Sequence, residues 1–325
     1  MPANLSPEYH RAEERLRAAK SADEKVAALE EMLRVIPKHK GTDHMQADLK
    51  SRIAKARKEG GKKGSKAGFS YIIPREGAGQ VALAGPPNSG KSSLVRALTH
   101  ATPAVGDYPF TTREPVPGMM PFEDIAFQLV DLPPISDQHV EPWVLDLIRY
   151  ADLVWVVLDG ERAIEGFDEV RRVLEARNVG LYPAGTRPSY LTAAVQKKAL
   201  VVVTGLDKAG VAGSLPLIEE LLEGNWRVAG VSAHNGAGLG EIARRTFDAF
   251  AIMRVYTKQP GKPREGSAPF ALPLGSTVGD LAERIHKDLL DTMRFARVWG
   301  TSAFEGQAVQ KEHVLAEGDV VEIHE

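Results

Sequence analysis

The chain has 325 residues, 43% of them hydrophobic and 26% charged, and its 41 Lys and Arg against 43 Asp and Glu leave a formal net charge of −2. That is the profile of an ordinary globular protein of two or three domains, and it excludes a disordered chain, a collagen and a disulfide scaffold. Zero cysteines exclude a thiolate zinc site and a cysteine nucleophile. The longest apolar runs, 153–158 and 199–203, are too short for a bilayer, and the polar opening 1–11 is no signal segment. A soluble cytoplasmic protein with no membrane partner is expected.

In chain order, residues 1–68 carry a net +6 and the remainder −8. Leu16, Val26, Leu29, Leu33 and Ile36 recur at helical spacing, which predicts helix over 7–36, and Thr42-Asp43 could cap a further helix to about Lys58. Gly60-Gly-Lys-Lys-Gly-Ser-Lys reads as a flexible basic linker. From Val81 to about Phe250, short continuous apolar runs (81–84, 125–130, 153–158, 200–203, 228–231) alternate with amphipathic stretches (91–98, 141–150, 166–177, 215–222, 239–250). Strands apolar on both faces, separated by helices, predict an α/β fold with a doubly wound parallel sheet. A strand at 252–256 is followed by a Pro/Gly-rich loop and then by strands at 269–272, 295–299 and 320–323, with a helix at 278–290 capped by Ser276 or Thr277. That is a small α+β domain, and the expected boundaries are 1–68, 69–251 and 252–325.

Gly85-Pro-Pro-Asn-Ser-Gly-Lys-Ser matches the phosphate-loop pattern in full, after a strand and before a helix. Backbone N–H groups of such a loop and the positive end of the helix dipole hold phosphate oxygens. Lys91 would reach the β- and γ-phosphates, and the Ser92 hydroxyl would ligate Mg²⁺. Asp131, closing the 125–130 strand, is placed to hold the same Mg²⁺ through water. Between them, Asp107-Tyr-Pro-Phe-Thr-Thr-Arg offers Thr111 or Thr112 to the metal. Asp207 follows the 200–203 strand and could accept both hydrogen bonds from guanine N1–H and its exocyclic amine. A backbone amide of the Ser232-Ala233 turn could donate to guanine O6.

These residues carry a resemblance. Gly85 to Ser93, Tyr108-Pro-Phe-Thr-Thr, Asp131-Leu-Pro, Asp207 and Ser232-Ala resemble the five nucleotide motifs of the Obg-like translation-factor GTPases. Val255-Tyr-Thr-Lys, Val298-Trp-Gly and Glu317-Gly-Asp-Val-Val-Glu-Ile resemble a TGS domain, a ubiquitin-like β-grasp fold. With the basic helical N-terminus, the combination is most similar to the developmentally regulated GTP-binding family. The resemblance implies a P-loop GTPase domain that binds GTP and GDP through Gly85, Asn88, Ser89, Gly90, Lys91, Ser92, Ser93, Asp131, Asp207, Ser232 and Ala233. It implies Mg²⁺ at Ser92, Thr112 and Asp131, and Lys91, Thr112 and Asn88 as the catalytic groups.

Three departures accompany it. The family's base motif is Asn-Lys-x-Asp, whereas Thr204-Gly-Leu-Asp207 keeps the aspartate and lacks, at Gly205, the lysine stem that packs on the guanine. Pro134 replaces a glycine whose N–H meets the γ-phosphate. The stretch 159–199 is short where relatives insert a domain.

Ile135 stands where many small GTPases place a water-orienting Gln, so slow intrinsic hydrolysis is expected. Gln138 and His139 lie just beyond it. Asn88 reads equally as a ligand for K⁺ and as a loop residue bonding its own backbone. Eight positive charges between Lys50 and Lys66, opposed only by Glu59, suit a solvated face or a nucleic-acid phosphate backbone. With a TGS-like domain, RNA or the ribosome is the expected partner, together with a regulatory protein. Two alternatives stand beside the switch: a nucleotide-binding scaffold that hydrolyses little or nothing, and an ATPase that has lost base selectivity.

Overall fold

The computed structural model describes residues 73–99, 115–138, 140–188, 194–222, 225–263, 266 and 268–325, and in the N-terminal stretch residues 16, 28, 29, 31–33, 35, 49, 52 and 53. The chain divides into two compact units, 1–70 and 71–325. In the first, Leu16 and Leu29 are helical, as are Met32, Leu49 and Ile53, and Leu29, Met32, Leu49 and Ile53 bury one another. Leu29 with Met32, and Leu49 with Ile53, are spaced three and four residues apart, which puts each pair on one helical face. The Thr42-Asp43 cap, the glycine-lysine linker and, apart from Arg52, the basic residues between Lys50 and Lys66 lie outside the described residues. So do Thr111, Thr112 and His139.

The second unit holds two sheets. The larger is built from β1 (Gln80–Ala84), β2 (Val116–Phe122), β3 (Ile125–Asp131), β4 (Leu153–Asp159), β5 (Val179–Pro183), β6 (Val195–Thr204) and β7 (Val228–Val231). Its order is β2-β3-β1-β4-β6-β5, with β7 also on β6. The ten-residue β6 serves two neighbours on one flank, pairing β5 through 195–199 and β7 through 201–204. Every pairing is parallel except β2 with β3.

Alternate side chains of the central strands enter two separate cores. Val81 and Leu83 face α1 (Lys91–Thr99) and α5 (Leu239–Phe250), whereas Ala82 and Ala84 face α2 (Pro142–Tyr150), α3 (Ala163–Glu175) and α4 (Val211–Leu221). Burial on both faces explains why these strands read as unbroken apolar runs.

The smaller sheet contains β8 (Ile252–Thr257), β9 (Phe270–Pro273), β10 (Phe295–Trp299), β11 (Gln307–Val309) and β12 (Val320–His324), in the order β11-β10-β12-β8-β9. It is covered by α6 (Val278–Ile285), which buries Val278, Leu281 and Ala282. The helix expected over 278–290 is broken at His286. Its backbone is extended there, and its N–H closes α6 on Ala282 O. Its ring Nδ1 accepts the Asp288 N–H and opens α7 (Lys287–Thr292). Thr277, rather than Ser276, caps α6 in a reciprocal box with Asp280.

The two sheets are joined by one cationic anchor. Arg254 of β8, with its side chain only 15% exposed, meets Asp124 at 2.9 Å, Glu317 at 2.7 Å, and Glu123. Tyr256 donates to Asp124 from the same strand, and the Arg254 guanidinium lies over the Phe247 ring. Glu123 and Asp124 form the β2–β3 turn, so the C-terminal domain is held by the tip of the antiparallel ribbon. Replacing Arg254 by Leu leaves three carboxylates facing one another without a counter-charge. A loss of about 2–3 kcal/mol in urea unfolding is expected, together with faster proteolysis between the two sheets; an unchanged midpoint would contradict the anchor.

Candidate nucleotide site

The loop 85–90 leaves β1 at the sheet centre, between β3 and β4, and ends at α1. A side chain on Gly85 would place its first carbon 2.2 Å from Val157 O, so only glycine lets the loop lie this close to β4. Asn88 adopts a left-handed backbone (φ 59°), and its side chain is exposed. Ser89 is buried, and Ser92 and Ser93 open the helix on its exposed side.

Lys91 is 7% exposed. Its ammonium donates to Gly85 O at 2.9 Å, Pro86 O at 2.8 Å and Ser89 Oγ at 3.3 Å. Burial lowers its pKa to about 8, against the opposing pull of Asp131. The β1–β3 register sets Asp131 opposite Leu83, two residues before Gly85. Burial raises the Asp131 carboxyl, and hydrogen bonding from Ser92 and the charge of Lys91 oppose the rise. Its Oδ1 is buried without a hydrogen-bond partner.

Such an orphaned carboxylate oxygen beside a serine hydroxyl is a hard oxygen donor set suited to Mg²⁺. Among the described residues no three His, Asp or Glu cluster as a metal nest. The donors therefore fit a magnesium that takes the rest of its shell from phosphate and water.

At the other end, the β4–β6 and β6–β7 registers align Asp159, Thr204 and Val231 across the sheet. Asp207 and Ser232 project just beyond that line. Ser232 is 1% exposed, and its Oγ accepts from the N–H groups of His234 and Asn235, which shapes the turn around Ala233. Hydrogen bonding from Ser232 holds the exposed Asp207 carboxyl below its ordinary value.

The structure thus sets Lys91, Ser92 and Asp131 around one point, and Asp207 beside Ser232 at another. Ile135 is fully buried, donating its N–H to Gly85 O at 3.0 Å, while Pro134 and Gln138 are exposed. Sequence reasoning missed the part played by Thr204, whose hydroxyl lies 3.0 Å from Ser89 O and 3.2 Å from Leu158 O. It braces the phosphate loop from the strand that carries Asp207. The signal was its position as the first residue of the base motif.

Comparison with known proteins agrees with this geometry. Residues 80–184 match the family described as 50S ribosome-binding GTPase, and residues 253–325 match the TGS domain. The chain is 26% identical to Developmentally-regulated GTP-binding protein 1 of Xenopus laevis, over 92% of this chain and 98% of that protein. It is 26% identical, with the same coverage, to Ribosome-interacting GTPase 1 of Saccharomyces cerevisiae. An uncharacterised GTP-binding protein of Halobacterium salinarum is 29% identical over 93% of this chain and 98% of its own length. That alignment runs over 366 positions against 325 residues here, so the relative carries segments this chain lacks. Among the described residues no helix is long and apolar enough to cross a membrane. The chain therefore joins a P-loop GTPase domain to a C-terminal TGS domain, and is similar over nearly its whole length to the developmentally regulated GTP-binding proteins.

Proposed function

We propose that this protein is a GTP-dependent switch that hydrolyses GTP slowly with Mg²⁺ and acts in the cytoplasm on ribosomes or RNA. The observation that carries the reading is the buried Lys91 beside the unpartnered Asp131 oxygen at the mouth of the phosphate loop. A charged lysine and an orphaned carboxylate are costly to bury without a ligand that uses both. The domains are taken as 1–68, 69–251 and 252–325.

In this reading the N–H groups from Asn88 to Ser93 receive the phosphates, and Lys91 turns from the loop carbonyls to the β- and γ-phosphates. Ser92 and Asp131, with Thr112, hold Mg²⁺, which neutralises charge on the phosphate oxygens. Asp207 accepts from the guanine edge, and the Ser232-Ala233 turn donates to O6. Ile135, sealed in the core, has no group with which to orient a water, and Pro134 has no N–H for the γ-phosphate. Hydrolysis is therefore slow until another group completes the site. The basic residues between Lys50 and Lys66 and the TGS domain contact ribosome or RNA, a reading supported by the yeast relative's name. A regulatory protein partner is a further expectation. The same Ile135 and Pro134 favour the second reading, a scaffold that binds nucleotide without turnover.

Titration separates these readings. GTP and GDP should bind with Mg²⁺ and ATP about 100-fold more weakly or worse, because adenine leaves Asp207 unpaired. Asp207→Asn should shift preference from guanine towards xanthine nucleotides. Equal affinity for ATP would return the ATPase alternative. Phosphate release should be slow alone and faster with ribosomes; tight GTP binding with no turnover under any condition would establish the scaffold.

Asn88 gives a separate outcome. If its side chain holds a monovalent cation against the phosphates, hydrolysis in K⁺ exceeds that in Na⁺, and Asn88→Ala removes the difference. Equal rates of the unaltered protein in the two salts would leave Asn88 a loop residue.

A further inference from the structure

A base held edge-on by Asp207 still needs something against its ring face, and the residue that would supply it at position 205 is a glycine. The turn from Gly205 to Lys208 is closed by the Lys208 N–H donating to Gly205 O at 2.8 Å. That closure brings the Lys208 side chain back across Gly205. Its Cδ, Cε and Cγ stand 3.1, 3.3 and 3.5 Å from where a first side-chain carbon of residue 205 would lie. Gly205 has φ +82°, so the position is unfavourable to other residues in backbone as well as in space.

The far end of Lys208 is tethered. Its Nζ meets Asp159 Oδ2 at 3.0 Å and Glu161 Oε1 at 3.6 Å. Asp159 is itself fixed by the Glu161 N–H and aligned with Thr204 across the sheet. Four methylenes are thus stretched between Asp207's own turn and β4, along the strand edge that leads back to the phosphate loop. An exposed ion pair alone contributes little and does not require an empty position beneath its stem.

We infer that Lys208 is the residue that covers the guanine, its aliphatic stem lying on the ring while Asp207 reads the edge. The assignment rests on the guanine-nucleotide reading and adds to it the residue that sets affinity for the base. A methylene stem carrying a cation is suited to a π face, with the hydrocarbon in contact and the charge drawn to the ring.

The test is binding of GDP and GTP to the full chain with Lys208→Ala and Lys208→Met, with the thermal midpoint of the nucleotide-free protein as a check on the fold. Lys208→Ala should weaken both nucleotides about tenfold and equally, as loss of a contact to the shared base requires. Lys208→Met keeps the stem without the charge and should bind within about threefold of the unaltered protein. Three results would overturn the assignment: no change in Lys208→Ala, equal losses in Ala and Met, or a loss confined to GTP. Failure of the unaltered protein to bind GDP would overturn the guanine reading and this inference with it.

Discussion

The arrangement depends on burying one lysine. Lys91 is the first residue of α1, where the loop that leaves β1 ends, and it holds the loop by donating to the carbonyls of Gly85 and Pro86. A buried ammonium is tolerated only where acceptors surround it and a negative charge is near. Every neighbouring feature serves that requirement. Gly85 lets the loop pack against Val157, Ile135 ties the next loop to Gly85 O, and β3 presents Asp131 through its register with β1. The central position of β1 sets this group where the strand connections diverge to opposite faces of the sheet, the place where open α/β sheets bind their ligands.

Much of this was legible along the chain because it is contiguous. The phosphate loop is one run of eight residues, and the buried strands are runs of Val, Leu and Ala. What was hidden depends on edges and turns. The β2 strand, Val-Pro-Gly-Met-Met-Pro-Phe, looks unlike a strand, yet it lies at the sheet edge and among the described residues pairs only with β3. Proline is tolerated on such an edge, and Pro117 and Pro121 sit there. β5, ending in Pro183, escaped notice for the same reason. The α4 helix, expected from Leu215, begins at Val211 and carries Pro216 inside it. The place of Lys208 was not legible along the chain, because it depends on a turn that brings its side chain back across Gly205.

The β2–β3 ribbon also links the two halves of the second unit. One end of β3 is Asp131 at the candidate magnesium position, and the turn at its other end carries Asp124, bound by Arg254 and Tyr256 of the TGS domain. The net charge of −2 therefore conceals local order. Carboxylates at the ribbon tip neutralise one arginine, Asp131 faces one lysine, and the surplus of positive charge is left to residues 1–68.

The central claim, that a phosphate ligand completes a buried lysine, is tested most directly by counting protons taken up on binding. Lys91 without ligand has a pKa near 8. Phosphate beside it favours the charged form and raises that value, so binding must draw a proton wherever the free lysine is neutral. Calorimetry of GDP binding in buffers of different ionisation heat should find proton uptake at pH 9 that falls away towards pH 7. Lys91→Arg, which stays charged throughout, should abolish that pH-dependent uptake. Binding at pH 9 without proton uptake would contradict the account.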